Sequence, residues 1–312
     1  MKSFSTLLLL GLISCTNQKD FNKVISQDIE IIVLGIAQDA GFPQAGCQKE
    51  NCALYWDGKE EKRHATSLGL IDHSSGEYWI FEATPDFKQQ LHSIQNRANT
   101  SSNPSGIFLT HAHIGHYTGL MQLGHEVMGA SDVPVHAMPR MKNYLETNGP
   151  WSQLVSKNNI AINQLAEDSL IQLNSNISVT PFLVPHRDEY SETVGYKIET
   201  ENKSVLFIPD INKWDIWDRS IVEEISKVDY AFVDATFFDQ NELPGRDISK
   251  IPHPFVEESM ELFKNLTVSE KAKIHFIHFN HTNPLILDSA ERKKVNDLGF
   301  KVAFEGMRIN LD

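Results

Sequence analysis

The run Thr110-His-Ala-His-Ile-Gly-His116 places three imidazoles within six residues. A neutral imidazole nitrogen is a good ligand for zinc and similar ions. A lone histidine is usually structural or simply exposed, but three at the end of an apolar run predict metal binding. His111 and His113 sit two apart, a spacing that puts both side chains on one side of an extended chain. His116 follows after a sharp turn eased by Gly115, a residue free to take a positive φ. No glycine-rich run has the spacing of a phosphate loop, and no serine nucleophile elbow is present.

The histidine run begins where the strand-like Gly106-Ile-Phe-Leu-Thr110 ends. Similar runs are Ile29 to Ile36, Thr66 to Ile71, Tyr78 to Phe81, Val179 to Val184, Val194 to Ile198, Val205 to Ile208, Tyr230 to Val233, Ile274 to Ile277 and Val302 to Phe304. Asp86 to Arg97 reads as a helix with Phe87, Leu91 and Ile94 on one face, and helical patterns recur near 118–129, 139–147, 219–226, 255–265 and 287–297. Many neighbouring strands are joined by short turns, as at His73-Ser-Ser-Gly76. That favours a layered α/β domain with mixed sheets over a purely parallel, doubly wound one.

The chain has 312 residues, 41% of them hydrophobic, enough for a substantial core. A net charge of −13 argues against a nucleic-acid partner and against electrostatic docking on anionic lipid. A small molecule is the expected substrate. The N-terminus reads as a targeting segment: Lys2 precedes the apolar Leu7-Leu-Leu-Leu-Gly-Leu-Ile13, too short to span a bilayer. It ends in Leu12-Ile-Ser-Cys15, which resembles the bacterial lipobox. That resemblance implies a signal peptide over 1–14, a lipidated Cys15 with a polar tether to residue 27, and one domain over 28–312. The protein is then an exported bacterial lipoprotein held at a membrane, on the periplasmic or outer-membrane face. Cys47 and Cys52 are the remaining cysteines, open to a disulfide or to a shared metal.

The segment from Thr110 through Tyr117-Thr-Gly-Leu120 resembles the metallo-β-lactamase superfamily signature, His-x-His-x-Asp-His with a Gly-Leu shortly after. Val184-Pro-His186, Phe207-Ile-Pro-Asp210 and Phe276-Ile-His278 follow in the family's order. The resemblance implies an αββα sandwich, two mixed β-sheets face to face with helices outside and a metal site at one edge. It also implies that His111, His113 and His186 hold one zinc. His116, Asp210 and His278 would hold a second, with Asp210 between the two. The implied reaction is hydrolysis of an ester-like bond (phosphodiester, lactone, thioester or β-lactam) by zinc-bound hydroxide, with Asp210 orienting it or taking up a proton. Gly115 departs from the pattern, standing where the family has Asp, and leaves the second site one carboxylate short. Restoring Asp there is expected to strengthen that site, or to crowd it if another carboxylate, such as Asp39, already fills the place. Asp39, in Gln38-Asp-Ala-Gly-Phe-Pro43, either supplies the missing oxygen or caps its own turn.

Within the superfamily the chain is similar to the pyrroloquinoline quinone biosynthesis protein B group. The shared features are Ala40-Gly-Phe-Pro-Gln44, Ala83-Thr-Pro-Asp86, Asp234-Ala-Thr-Phe237 with His253-Pro254, His278-Phe-Asn-His-Thr-Asn-Pro284 and Glu305-Gly-Met307. That likeness implies an alternative: a non-catalytic or weakly catalytic protein binding a quinone-like molecule. The intact pair His111 and His113, often degraded in that group, favours hydrolysis. Cys47, Cys52 and His281 resemble part of the structural zinc site of phosphoribosyl cyclic phosphodiesterases; a Cys47–Cys52 disulfide is the other reading. Asp86 is expected to start a helix, His253 to line the site mouth, and Trp214 and Trp217 to pack. Loops 41–62, 130–160 and 237–252 are expected to set specificity.

Overall fold

A computed structural model describes residues 29–247 and 250–312. The leader, Cys15 and the tether lie outside the described residues. The strands are β1 (Ile29–Gly35), β2 (Ser67–Asp72), β3 (Glu77–Phe81), β4 (Gly106–Phe108), β5 (Val133–Ala137), β6 (Ile160–Gln164), β7 (Ile171–Gln172), β8 (Ser178–Leu183), β9 (Val194–Glu199), β10 (Ser204–Ile208), β11 (Tyr230–Asp234), β12 (Ile274–Ile277), β13 (Lys301–Val302) and β14 (Arg308–Asn310). They form two seven-stranded sheets, ordered β14-β1-β2-β3-β4-β5-β6 and β13-β12-β11-β10-β9-β8-β7. In the first, pairing is antiparallel from β14 to β3 and parallel from β3 to β6. In the second it is parallel from β13 to β10 and antiparallel from β10 to β7. Both sheets are mixed, as the short turns and the resemblance implied.

Strand β1 shows why its sequence is apolar almost throughout. Ile29, Ile31 and Val33 enter the core between the sheets, where Leu70, Phe81, Tyr196, Phe207 and Phe232 also lie. Ile32 and Leu34 point to the other face, under Leu91 and Ile94. Successive side chains alternate, so a strand covered on both faces must be apolar at odd and even positions alike. The helices are α1 (Glu50–Trp56), α2 (Phe87–Ala98), α3 (Ile114–Tyr117), α4 (Pro139–Thr147), α5 (Trp151–Ser156), α6 (Ile221–Ser226), α7 (Val256–Leu262), α8 (Val268–Lys271) and α9 (Ala290–Asp297). Among the described residues no helix is long and apolar enough to cross a membrane.

The pattern at 118–129 is a 3-10 segment, Thr118–Leu123, followed by turns rather than a full helix. Its buried Gly119, Leu120 and Leu123 hold it down, but glycines at 119, 124 and 129 weaken a continuous helix. Strands β5, β6, β7 and β14 escape the hydrophobic reading. β5 carries Pro134 and His136, and β7 and β14 are two and three residues long.

Candidate metal centre

Every residue implicated in metal binding at the sheet edge follows the end of a strand. Asp39 comes after β1, His111 to His116 after β4, His186 after β8, Asp210 after β10 and His278 after β12. Pairing directions make β1, β3 and β4 run the same way in one sheet, and β8, β10, β11 and β12 in the other. Their C-terminal ends therefore share one edge of each sheet. The edges are laced together there: Val194 N donates to Thr110 O, and the Tyr196 hydroxyl donates to Leu109 O.

At that edge His111, His113, His186 and Asp210 bring one ligand atom each within 4.8 Å of the others. His111 Nε2 is 2.8 Å from His113 Nδ1, which is 3.3 Å from His186 Nε2. Asp210 Oδ2 is 3.3 Å from His111 Nε2, 3.2 Å from His186 Nε2 and 3.9 Å from His116 Nε2. Ligands about 2.0–2.1 Å from a tetrahedral zinc stand roughly 3.3 Å apart. The separations are of that size, and Asp210 faces both histidine groups.

In four of the five histidines the opposite nitrogen is hydrogen-bonded from behind. His111 Nδ1 is 2.9 Å from Thr110 Oγ1, His186 Nδ1 is 3.2 Å from Asn212 Oδ1, and His278 Nδ1 is 3.0 Å from Thr236 Oγ1. His116 Nδ1 lies 3.3 Å from Glu82 Oε1. His113 is turned over: its Nε2 is 3.2 Å from Glu189 Oε2, leaving Nδ1 inward. A ring nitrogen that donates its proton outward leaves a lone pair on the other, and such outer partners are what orient metal-binding imidazoles. Lone pairs packed 2.8–3.3 Å apart repel one another unless a cation lies among them.

A second group joins Asp39, His116 and His278, again within 4.8 Å. Asp39 Oδ1, both nitrogens of His116, Asp210 Oδ1 and His278 Nε2 are buried without a hydrogen-bond partner. Such atoms are costly unless something compensates them, and a divalent cation fits this donor set. Asp39, Glu82 and His278 also hold positive φ of 35°, 80° and 70°. Strain of this kind is retained where surrounding structure imposes it, and functional sites concentrate it. Gly115, by contrast, is helical and takes no positive φ. Its lack of a side chain matters through space. An ideal Cβ there would stand 2.3 Å from Asp39 Cα.

Burial resists ionising Asp210, but the neighbouring His186 and His253 hold its carboxyl well below the usual range. His253 itself is sandwiched: Nδ1 is 2.9 Å from Asp234 Oδ2, 3.1 Å from Asp210 Oδ1 and 3.2 Å from Thr236 Oγ1. Burial disfavours its charge, yet Asp234 and Asp210 outweigh that and raise its pKa to about 10. Burial likewise opposes charging His116, and Glu82 and Asp39 lift it to about 10.

His253 therefore sits at the centre rather than only at its mouth. Glu82, Asp234, Thr236, Asn212 and Glu189 had no assigned role in the sequence. Asp234 and Thr236 stood in a quoted motif, but Glu82 gave no signal beyond following a strand. Asp86 is an internal strut, accepting from Ala65 N and paired with Lys62. Trp214 and Trp217 are buried packing residues whose indoles donate to Ser259 Oγ and Leu183 O. Away from the centre, Cys47 and Cys52 are free thiols, grouped with His281 as three donors within 4.8 Å. Burial first, then Cys47, raises the Cys52 thiol to about 11.

Residues 78–276 match the model of the Beta-lactamase superfamily domain. The chain belongs to the β-lactamase superfamily. Coenzyme PQQ synthesis protein B of Rhizobium meliloti is 28% identical over 92% of this chain and 99% of its own length. The crystal structure of zinc-bound PqqB from Methylobacterium extorquens superposes with TM-score 0.74 at 22% identity, covering 90% of this chain and all of that one. A diphosphatase of the PhnP family superposes with TM-score 0.61 at 19% identity, covering 90% and 96%. At such identities the structural likeness is one of fold, and it agrees with the αββα sandwich.

Proposed function

We propose that this member of the β-lactamase superfamily is a zinc-dependent hydrolase of an ester-like bond in a small molecule. The outward tethering of His111, His113, His186 and His278, each leaving one nitrogen for a common centre, carries the reading. His111, His113 and His186 would hold the first zinc, His116 and His278 would flank the second position, and Asp210 would face both. Zinc there would supply Lewis acidity and the means to activate water near neutral pH. Asp210, held ionised, would orient the attacking oxygen. The Asp234–His253 pair stands behind Asp210, with His253 Nδ1 3.1 Å from Asp210 Oδ1 and 2.9 Å from Asp234 Oδ2, and helps to orient that carboxylate. We also propose export and lipid anchoring through Cys15, from the leader sequence.

The test is elemental analysis of purified protein with turnover on a panel of phosphodiesters, lactones, thioesters and β-lactams. The intact protein should hold zinc and cleave at least one class. His113→Ala and His186→Ala should lose the first zinc and at least about 1000-fold in kcat/KM, since each removes a ligand. A zinc-loaded protein inert to the whole panel would favour the alternative, a protein that binds a quinone-like molecule without hydrolysis.

A further inference from the structure

We propose that Asp39 is the carboxylate ligand of the second metal position, relocated from helix α3 to the loop after β1. The inference rests on the metal-centre reading above. In the superfamily pattern the acid precedes His116 directly, and here Gly115 occupies that place. A Cβ on Gly115 would lie 2.3 Å from Asp39 Cα, 2.7 Å from its Oδ1 and 3.0 Å from its carbonyl oxygen. Asp39 thus fills the volume that a side chain from 115 would need. The side chain is part-exposed at its rim, but Oδ1 is buried and has no hydrogen-bond partner. A carboxylate capping its own turn through that oxygen would have one.

The distances fit a shared ion better than a hydrogen bond. Asp39 Oδ1 is 3.6 Å from His116 Nε2, beyond hydrogen-bond range but close to the spacing of two ligands on one zinc. His278 completes the group, with Nε2 unpartnered and Nδ1 tied to Thr236.

The placement of Asp39 is built into the fold. Ala37 bridges Phe279, Gln38 N donates to Phe279 O, and Phe279 N donates to Ile36 O. The residues just before Asp39 are thereby zipped to the residue just after His278. One backbone register delivers both ligands, and both accept positive φ to do so. The ligand set of the second position becomes Asp39, His116, Asp210 and His278.

The experiment uses metal-free protein titrated with zinc alone, read by calorimetry and elemental analysis, for wild type, Asp39→Asn and Asp39→Ser. Wild type should bind two zinc ions at the centre. Both variants should keep the first with unchanged affinity and lose more than about 100-fold at the second, beyond the 10–100-fold typical of losing an outer-shell partner. Melting of the metal-free forms should be unchanged, showing that the loop still folds. Cys47→Ser with Cys52→Ser in all three backgrounds removes any zinc held by those thiols from the count. Two central zinc ions retained in Asp39→Asn would overturn the proposal. So would a wild type that binds only one, although the hydrolase reading would survive on the first site. A wild type that binds none would sink both.

Discussion

Gly115 and Asp39 illustrate how one missing side chain can be a requirement. The constraint at 115 is close approach, not backbone dihedral: the helix lets the β1 loop pass where a Cβ would be. Gly115→Ala should therefore cost about 1–3 kcal/mol through overpacking against backbone that cannot rotate away. Urea unfolding of the metal-free protein measures it, and a variant as stable as wild type would mean that the loop gives way freely. The same contact decides between the two expectations for Gly115→Asp. The new carboxylate meets Asp39 Cα first, so it crowds the second position instead of completing it. Glu82 acts at the same scale, its carboxylate behind His116 and its φ of 80° set by the turn out of β3.

Loop and strand ends decide the next level. Phe237 bridges Phe255 beside His253, and the turn after Phe237 is pinned by Glu242, which accepts from Phe238 N and, at 2.8 Å, from Thr282 Oγ1. Burial dominates and lifts Glu242 from 4.5 to about 7, against those two hydrogen bonds. Because the folded pKa is the higher one, the folded state binds the extra proton between those values. The associated stability is complete below pH 4.5 and is lost as pH rises through 7. Between pH 5 and 8.5 wild type should lose stability on the order of 2 kcal/mol relative to Glu242→Gln, after allowance for solvent screening. Parallel urea stabilities for the two proteins across that range would refute this assignment.

The whole molecule brings its two sheets to the same point. Asp39, His111, His113 and His116 come from the first sheet, and His186, Asp210 and His278 from the second. A metal bound by both favours the closed sandwich over any state in which the sheets part. β1 begins at the opposite end from this edge, since its C-terminal end is the one beside the centre. With Cys15 lipidated, a tether of 15–27 would reach at most roughly 45 Å from the membrane to the start of the domain. Cys15→Ala should release the protein from the membrane fraction or leave its leader uncleaved. Unchanged fractionation together with unchanged mass would remove the anchor from the account.

Local order sufficed to mark what the sequence determined by itself. Apolar runs marked the main strands, and the cluster beyond one of them marked His111, His113 and His116; His186, Asp210 and His278 came from the resemblance to the superfamily pattern, which places each just after a strand. The mixed sheets were legible from short turns. Short or proline-bearing strands such as β5 and β14 were not, since their burial comes from partners distant in sequence. Only the tertiary structure decided which groups stand behind the histidines, that His253 lies between Asp234 and Asp210, and that Asp39 fills the space beside Gly115. Those relations depend on strand order and on the bridge from Ala37 to Phe279, and nothing in residue type or spacing encodes which distant loop a fold will bring into the space where a glycine lacks its Cβ.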